Sequence, residues 1–183
     1  MSIKKNDLSD IDLDFIKFFK TNSKTKINYV ITYKNNKIIL NIKKTTIPFG
    51  VEKYNNQSIL NIEITPNNSN SHYNIYQNIK RLENKIRDIS EDKFCSNELK
   101  NDIIDKEYHK NIKKRENSYL IRTYLFGSPK IFRNIGGFEV DLSLENIKKT
   151  ISNVELELGI LWINQEEYGI LWYIKKIEVL HDI

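Results

Sequence analysis

Between residues 27 and 43 apolar side chains recur at every second position. Ile27, Tyr29, Ile31 and Tyr33 alternate with Asn28, Val30 and Thr32, and beyond Asn35-Asn36 the set Ile38, Leu40 and Ile42 alternates with Ile39, Asn41 and Lys43. Two alternating runs about a two-residue turn predict a β-hairpin in which Tyr33 faces Ile38 and Asn28 faces Lys43, with an apolar face for the core and a mixed face for solvent or a ligand. A third strand follows over 58–65, with Leu60, Ile62 and Ile64 on one face and Pro66-Asn67-Asn68 as its stop. The period then changes. Ile75, Ile79, Leu82, Ile86 and Ile89 fall four, three, four and three apart, which predicts an amphipathic helix over 73–90 with Ser71 as cap.

Ahead of the hairpin, Ile11, Phe15, Phe18 and Phe19 have helical spacing. With Ser9 as cap and Asp12 and Asp14 near the positive helix end, they predict a docking helix over about 10–20 within an N-terminal segment 8–21. Residues 91–117 are dense in charge with weak periodicity, which predicts a long inserted excursion with a short helix near 98–106 and a basic stretch over 110–115. A strand over 119–126, a turn at Gly127-Ser128-Pro129, an extended piece around Ile131, Gly136-Gly137 and a short helix from Ser143 to about Thr150 follow. The chain closes with a hairpin, 154–163 and 168–179, joined by Asn164-Gln165-Glu166-Glu167.

Three strands, a helix and then further strands make a mainly β fold with α. A sandwich needs more strands and no central helix, and a parallel α/β sheet needs strand and helix to alternate. The order therefore predicts a small Greek-key barrel of oligonucleotide-binding (OB) type, with a helix between its third and fourth strands, as one domain over 1–183. A chain of 183 residues suits a single core, and ten Tyr, eight Phe and two Trp argue against disorder. Ala is absent while Ile, Lys and Asn together make up 77 residues, a skew of AT-rich coding that inflates surface Lys and weakens what a net charge of +5 says about a polyanionic partner. The five Arg, at 81, 87, 115, 122 and 133, carry more weight. A lone Cys95 excludes an internal disulfide, and no apolar run approaches the roughly 20 residues of a membrane helix. With no signal-like N-terminus, a soluble intracellular protein with no membrane partner is expected.

Phosphate-binding Gly-rich loops, GxSxG, HExxH and zinc-like Cys/His spacings are all missing from the sequence, so a non-enzyme without metal or cofactor is expected. His72, His109 and His181 read as surface residues and Cys95 as incidental. Arg122, Tyr124 and Phe126 share one face of their strand and interleave a guanidinium with two rings. Single-stranded nucleic acid needs that combination for its phosphates and bases; the alternative places Tyr124 and Phe126 in the core below an exposed Arg122. Lys43, Lys44, Lys53, Lys130, Arg133 and Lys176 are the cations expected along the groove, each also readable as a solvated charge. Pro48 and Gly50 break the ladder between the second and third strands, so Phe49 and Tyr54 are expected at the barrel mouth, Phe49 as either a core plug or a stacking ring.

In the closing hairpin a four-residue loop sets Trp162 opposite Gly169 and Gly159 opposite Trp172. Leu156, Leu158, Ile160, Trp162, Leu171 and Tyr173 then form a core face. Leu161, Tyr168, Ile170, Trp172, Ile174 and Lys176 form a second face that is also largely apolar, which requires cover from the N-terminal helix, a partner subunit or bases. In the last case Trp172 stacks a base beside Lys176, and Trp162 is core.

The segment Ile47-Pro48-Phe49-Gly50-Val51-Glu52-Lys53-Tyr54, the hairpin before it, Ile59-Leu60-Asn61-Ile62-Glu63-Ile64 after it, and the closing Leu161-Trp162-Ile163 and Tyr168-Gly169-Ile170-Leu171-Trp172 carry a resemblance. Together they resemble the single-stranded DNA-binding proteins of nucleocytoplasmic large DNA viruses, a group that includes the African swine fever virus protein and giant-virus relatives. The resemblance runs in order over most of 24–179 and leaves 91–117 unmatched. It implies an OB-type domain that coats single-stranded DNA in viral replication, repair or recombination, located in the host cytoplasm, a viral factory or the virion. Two readings from other classes stand beside it. One is a structural or transcription-complex protein that uses the apolar hairpin face as a subunit interface, self-association included; the other is an RNA-binding OB protein or a subunit of a nucleic-acid-processing enzyme.

Overall fold

Runs of Ile, Val, Thr, Tyr and Phe with period two fill most of this chain, and such residues suit a pleated, half-buried surface. The computed structural model describes residues 6–8, 11–21, 27–54, 57–66, 70–91 and 96–183. Ser9, Asn67, Asn68 and Cys95, and with them the expected cap, strand stop and incidental thiol, lie outside the described residues. The strands are β1 (Asn6–Asp7), β2 (Ile16–Thr21), β3 (Ile27–Tyr33), β4 (Ile38–Ile47), β5 (Val51–Tyr54), β6 (Gln57–Ile64), β7 (Glu107–His109), β8 (Ile112–Lys114), β9 (Tyr119–Tyr124), β10 (Lys130–Ile135), β11 (Phe138–Asp141), β12 (Thr150–Ile163) and β13 (Glu167–Asp182). The helices are α1 (Asn70–Arg87) and α2 (Asn97–Ile103). The protein is mainly β, and its strands belong to one mixed sheet.

Five of the strands pair in a circuit: β4 with β6, β6 with β9, β9 with β13, β13 with β12, and β12 back to β4. Every link is antiparallel except β9 to β13, which is parallel through the single pair Tyr124 and Tyr173. Helix α1 falls between β6 and β9, as its apolar spacing predicts; Ile75, Ile79, Leu82 and Ile86 are buried in the main core together with Ile62, Leu156 and Ile174. Helix α1 already includes Ser71, so that residue does not stand in a cap position.

Two expectations fail at the N-terminal side. The described part of the expected docking helix, 11–20, is not helical in that way. Asp12 accepts a hydrogen bond from the Asp14 N–H and opens a 3-10 turn (Leu13–Phe15), after which Ile16–Thr21 is a strand paired antiparallel with β3. An isolated helix of that length is marginal, whereas β3 offers an open ladder to a sequence rich in Phe and Ile. The ladder is open because the second expectation fails as well. Lys34 and Asn35 make the turn, with φ of 49° and 62°, and Tyr33 bridges Asn36, but β3 and β4 do not continue as a hairpin. Both turn instead to β12, which pairs with β4 through Thr150–Glu157 and with β3 through Ile160–Ile163. A long central strand serves both better than they serve each other.

The closing hairpin has the expected four-residue loop, and Trp162 does oppose Gly169. Asn164 Oδ1 accepts from the N–H groups of Glu166 and Glu167 and holds the loop. The predicted faces are lost further along, because the ladder slips between Leu158 and Leu161 and again opposite Lys175. Each slip is a bulge, and one extra residue reverses which side chains point inward. On β12 the buried set changes from Leu156 and Leu158 to Leu161 and Ile163; on β13 it changes from Trp172 and Ile174 to Ile177 and Val179.

Trp172 is consequently core, fully buried, and not the exposed ring expected from sequence. Its face is covered from within the chain, by neither an N-terminal helix, a subunit nor bases. Tyr168 Oη donates to the Arg87 carbonyl at the end of α1, and Tyr108 packs edge-on against Tyr168 at 5.4 Å. This removes the subunit-interface role proposed for that face. The charged excursion also returns to the sheet, since β7 pairs with β13 and β8 with β9, and α2 is pinned by Asp102 and Glu98, which share the ammonium of Lys20. Among the described residues no helix is long and apolar enough to cross a membrane.

Candidate nucleic-acid interface

A second, smaller apolar cluster of Ile59, Tyr124 and Leu171, flanked by Ile160, Trp162 and Tyr173, lies apart from the main core. Ile160 and Trp162 are the outward residues that the bulge on β12 creates, and they meet Tyr124 from β9 and Leu171 and Tyr173 from β13. They floor an open groove of about 620 Å3, lined also by Tyr54, Phe126, His109, Asn28, Asn164 and Glu167.

Two glycines allow rings to lie on this floor. At Gly159 an added Cβ would come within 2.0 Å of Tyr173 Cε2, and at Gly169 it would stand 3.1 Å from Trp162 Cζ2 and 3.0 Å from the His109 carbonyl oxygen. Neither glycine has a positive φ, so the requirement is for space and not for backbone conformation. Phe126 leans over Tyr173 at 5.3 Å between centroids and is 71 % exposed; His109 is 5.9 Å from Trp162. Burial raises the phenols of Tyr124 and Tyr173 above their usual value, which keeps both neutral at physiological pH.

Arg122 supplies the cation. Its guanidinium carbon sits 4.2 Å from the Tyr54 ring centroid, and Nη1 is 3.3 Å from His109 Nε2. A guanidinium can only donate, so that contact leaves the imidazole proton on Nδ1, which faces Glu167 Oε1 at 3.6 Å. Lys53 reaches the rim, where Nζ donates to the Ser58 hydroxyl at 2.9 Å. The backbone behind this edge is fixed through Asn111. Its carbonyl accepts from the Arg122 N–H, its side chain donates to the Ile170 carbonyl, and its own N–H donates to the buried carboxylate of Glu83 on α1.

Of the residues singled out from sequence, the groove thus gathers Tyr54, Tyr124 and Phe126 in its lining, Arg122 on Tyr54, and Lys53 at the rim. The others are placed elsewhere. Phe49 is exposed and lies against the guanidinium of Arg115, which also pairs with Glu63 at 3.3 Å. Lys43 and Lys44 belong to the β4–β12 region, where the Lys43 carbonyl accepts from His72 Nε2 and the Lys44 N–H donates to Asn153. Lys130 and Lys176 are ladder partners that flank the buried Phe132 ring at 4.8 and 4.6 Å; Lys130 pairs with Glu139, and Arg133 with Asp182. Trp172 is within the core.

Sequence reasoning passed over Trp162, Tyr173 and His109 as groove residues. A usable signal existed: a ring directly opposite a glycine, as Trp162 is to Gly169, finds room to lie flat on its own face. No group of His, Cys, Asp and Glu side chains suited to hold a metal ion occurs among the described residues. No protein-family model matches this chain, and no curated protein matches it.

Proposed function

We propose that this protein binds single-stranded nucleic acid, DNA foremost, without sequence preference and without catalysis, as a coat for strands exposed in viral replication, repair or recombination. The observation that carries the reading is the sharing of one open groove by four rings from separate parts of the chain, Tyr54, Phe126, Trp162 and Tyr173, with the Arg122 guanidinium beside them. Bases of any identity present a π-face, and stacking contributes about 1–3 kcal/mol each. The rings are neutral and the polar lining is largely amide and hydroxyl, so bases rather than phosphates supply most of the affinity.

The architecture supports the same reading. Five strands paired in a circuit are what a small, partly open OB-type Greek-key barrel requires. Helix α1 lies where the order of strands in the sequence puts it, between 58–65 and 119–126, although within the five-strand circuit it falls between the second and third strands. The resemblance to large-DNA-virus single-stranded DNA-binding proteins points the same way.

The test is a titration of labelled oligo-dT against stepped salt, with duplex DNA and oligo-U as competitors. Tight binding to oligo-dT, poor competition by duplex and a log–log salt slope of about 0.7 per phosphate for only one or two phosphates are expected, because Arg122 and Lys53 are the cations at the groove. Equal affinity for duplex, or no binding at low salt, overturns the proposal. Stronger competition by oligo-U moves it to RNA.

A further inference from the structure

Arg122 is not the last guanidinium to lie against a ring on its side of the sheet. Ile62, Ile64 and Ile121 belong to the main core, so alternation places Ile59, Asn61 and Glu63 of β6 and Leu120, Arg122 and Tyr124 of β9 on the opposite face, the one that carries the groove. Register arranges them in rows, with Ile59 beside Tyr124, Asn61 beside Arg122, and Glu63 beside Leu120. Strand β8 extends the last row with Lys113, which is exposed and pairs with Leu120. Next to Glu63 lies Arg115, its guanidinium carbon 5.2 Å from the ring centroid of Phe49, which is 39 % exposed.

The first row borders the groove through Tyr124, the second carries Arg122 on Tyr54, and the third leads to Arg115 on Phe49. Each row is two residues from the next, so the row of Leu120 lies about 13 Å along the strand from that of Tyr124. Two carboxylates share the face, and both are bonded. Glu52 accepts from Asn61 Nδ2 at 2.7 Å, and Glu63 Oε1 accepts from the Ser118 hydroxyl at 2.5 Å and from Arg115 Nη1 at 3.3 Å. Arg115 thus meets Glu63 through one nitrogen at the long end of hydrogen bonding, and its flat fork has five N–H groups to donate. Lys113, Arg115 and Arg122 face two carboxylates, so net charge does not select a ligand here. Continuity with the groove does, together with the repeat of a ring beside a guanidinium, a surface on which bases stack and phosphates bond.

We propose that a single strand held in the groove continues over Arg122 to a second station, where a base stacks against the Phe49 and Arg115 pair and flanking phosphates meet Arg115 and Lys113. This station rests on the reading of the groove given above and lengthens the track that the strand follows. The one or two phosphates expected of the groove then apply to an oligonucleotide too short to leave it.

Fluorescence anisotropy of the nuclease-treated full chain with labelled oligo-dT of about 4 and about 16 nucleotides, the range of sites on one OB-type fold, tests it over stepped salt. A longer strand also has more registers in which to bind, so salt slope and response to substitution are the readouts. The log–log slope should be steeper for the longer strand by about 0.7 for each of two added phosphates, and Lys113→Ala should remove one of these steps. Phe49→Ala should weaken the longer strand about tenfold. Glu63→Gln, which removes the carboxylate that competes for Arg115, should tighten it, and neither substitution should move the short strand. If Phe49→Ala loses its native melting transition, the slope of Lys113→Ala decides the matter. Equal slopes at the two lengths, a longer strand indifferent to Phe49→Ala and Glu63→Gln, or a loss in folded Phe49→Ala that is the same at both lengths overturns the second station and leaves the groove reading standing. Binding of neither length overturns both.

Discussion

Glu83 offers the most direct physical test of this structure, because it is a carboxyl group inside the protein with little to hold its charge. It is 7 % exposed, its carboxylate accepts one backbone N–H from Asn111 at 2.9 Å, and Lys110 adds a weak attraction. Desolvation outweighs both and pushes its pKa from 4.5 to about 7. At about 1.4 kcal/mol for each factor of ten in proton affinity, the ionised form costs on the order of 3 kcal/mol of folding stability. The sign follows from the raised pKa. The folded state holds its proton more tightly than the unfolded chain, so this contribution is fully favourable below about pH 4.5, declines as pH rises through about 7, and is flat above. Glu83→Gln keeps an oxygen for the Asn111 N–H, fixes the group neutral, and brings an amide N–H2 near Tyr108, whose hydroxyl is buried without a hydrogen-bond partner. Burying that amide returns part of the gain, so a net stabilisation of about 1–3 kcal/mol is expected at pH 8, vanishing near pH 4.5. Urea unfolding of both proteins at closely spaced pH values measures it. Parallel stability curves for wild type and variant between pH 4.5 and 7 would show that the carboxylate is solvated, and the reasoning would fail.

Three further outcomes are expected. Trp172→Ala should destabilise by about 3–5 kcal/mol in chemical denaturation, as loss of a large buried ring does, while Trp162→Ala should leave stability nearly unchanged and weaken oligo-dT binding by about 1–3 kcal/mol; the opposite assignment of losses would place the groove on the wrong face. Gly159→Ala drives a methyl group into the Tyr173 ring, so binding should fall with little change in far-ultraviolet circular dichroism, and unaltered affinity would remove Tyr173 from the site. Replacing Lys43 and Lys44 with Ala should leave the salt slope of oligo-dT binding unchanged, whereas Arg122→Ala should reduce it by about 0.7; a shallower slope in the lysine variant would extend the site to β4.

Local pattern made much of this legible in the sequence. The spacing of Ile75 to Ile89 identified α1, the alternation of Leu60, Ile62 and Ile64 identified β6, and the shared face of Arg122, Tyr124 and Phe126 is the one that meets the groove. What periodicity could not reveal was partner choice and phase. Nothing local in 27–43 states that β12 will claim both arms of the apparent hairpin, because that competition is settled by residues more than a hundred positions away. Nor does an apolar stripe at Ile11, Phe15, Phe18 and Phe19 disclose that β3 will have a vacant edge. The two tryptophans were correctly read as lying on opposite faces, but which face is core depends on a bulge that neither residue encodes. Lys43, Lys44, Lys130, Arg133 and Lys176 were grouped by charge alone, and charge without a shared surface is no site.

The slip at Gly159 works as a change of reading frame in space. Every side chain from Ile160 to Ile163 takes its inside or outside assignment from that one extra residue, and so does the identity of the tryptophan that faces the groove. Pairing these same residues without the slip would present Leu161 and Ile163 outward and bury Trp162, whereas removing one residue at the slip itself would leave Leu161 opposite Ile170 in a regular ladder. Away from the slips, length changes within β12 and β13 are therefore tolerable only as compensated pairs, whereas the loop Asn164 to Glu166 can vary in length without touching the frame. The hairpin is inherited as a block, with its two glycines, its slips and its two rings forming one unit of variation.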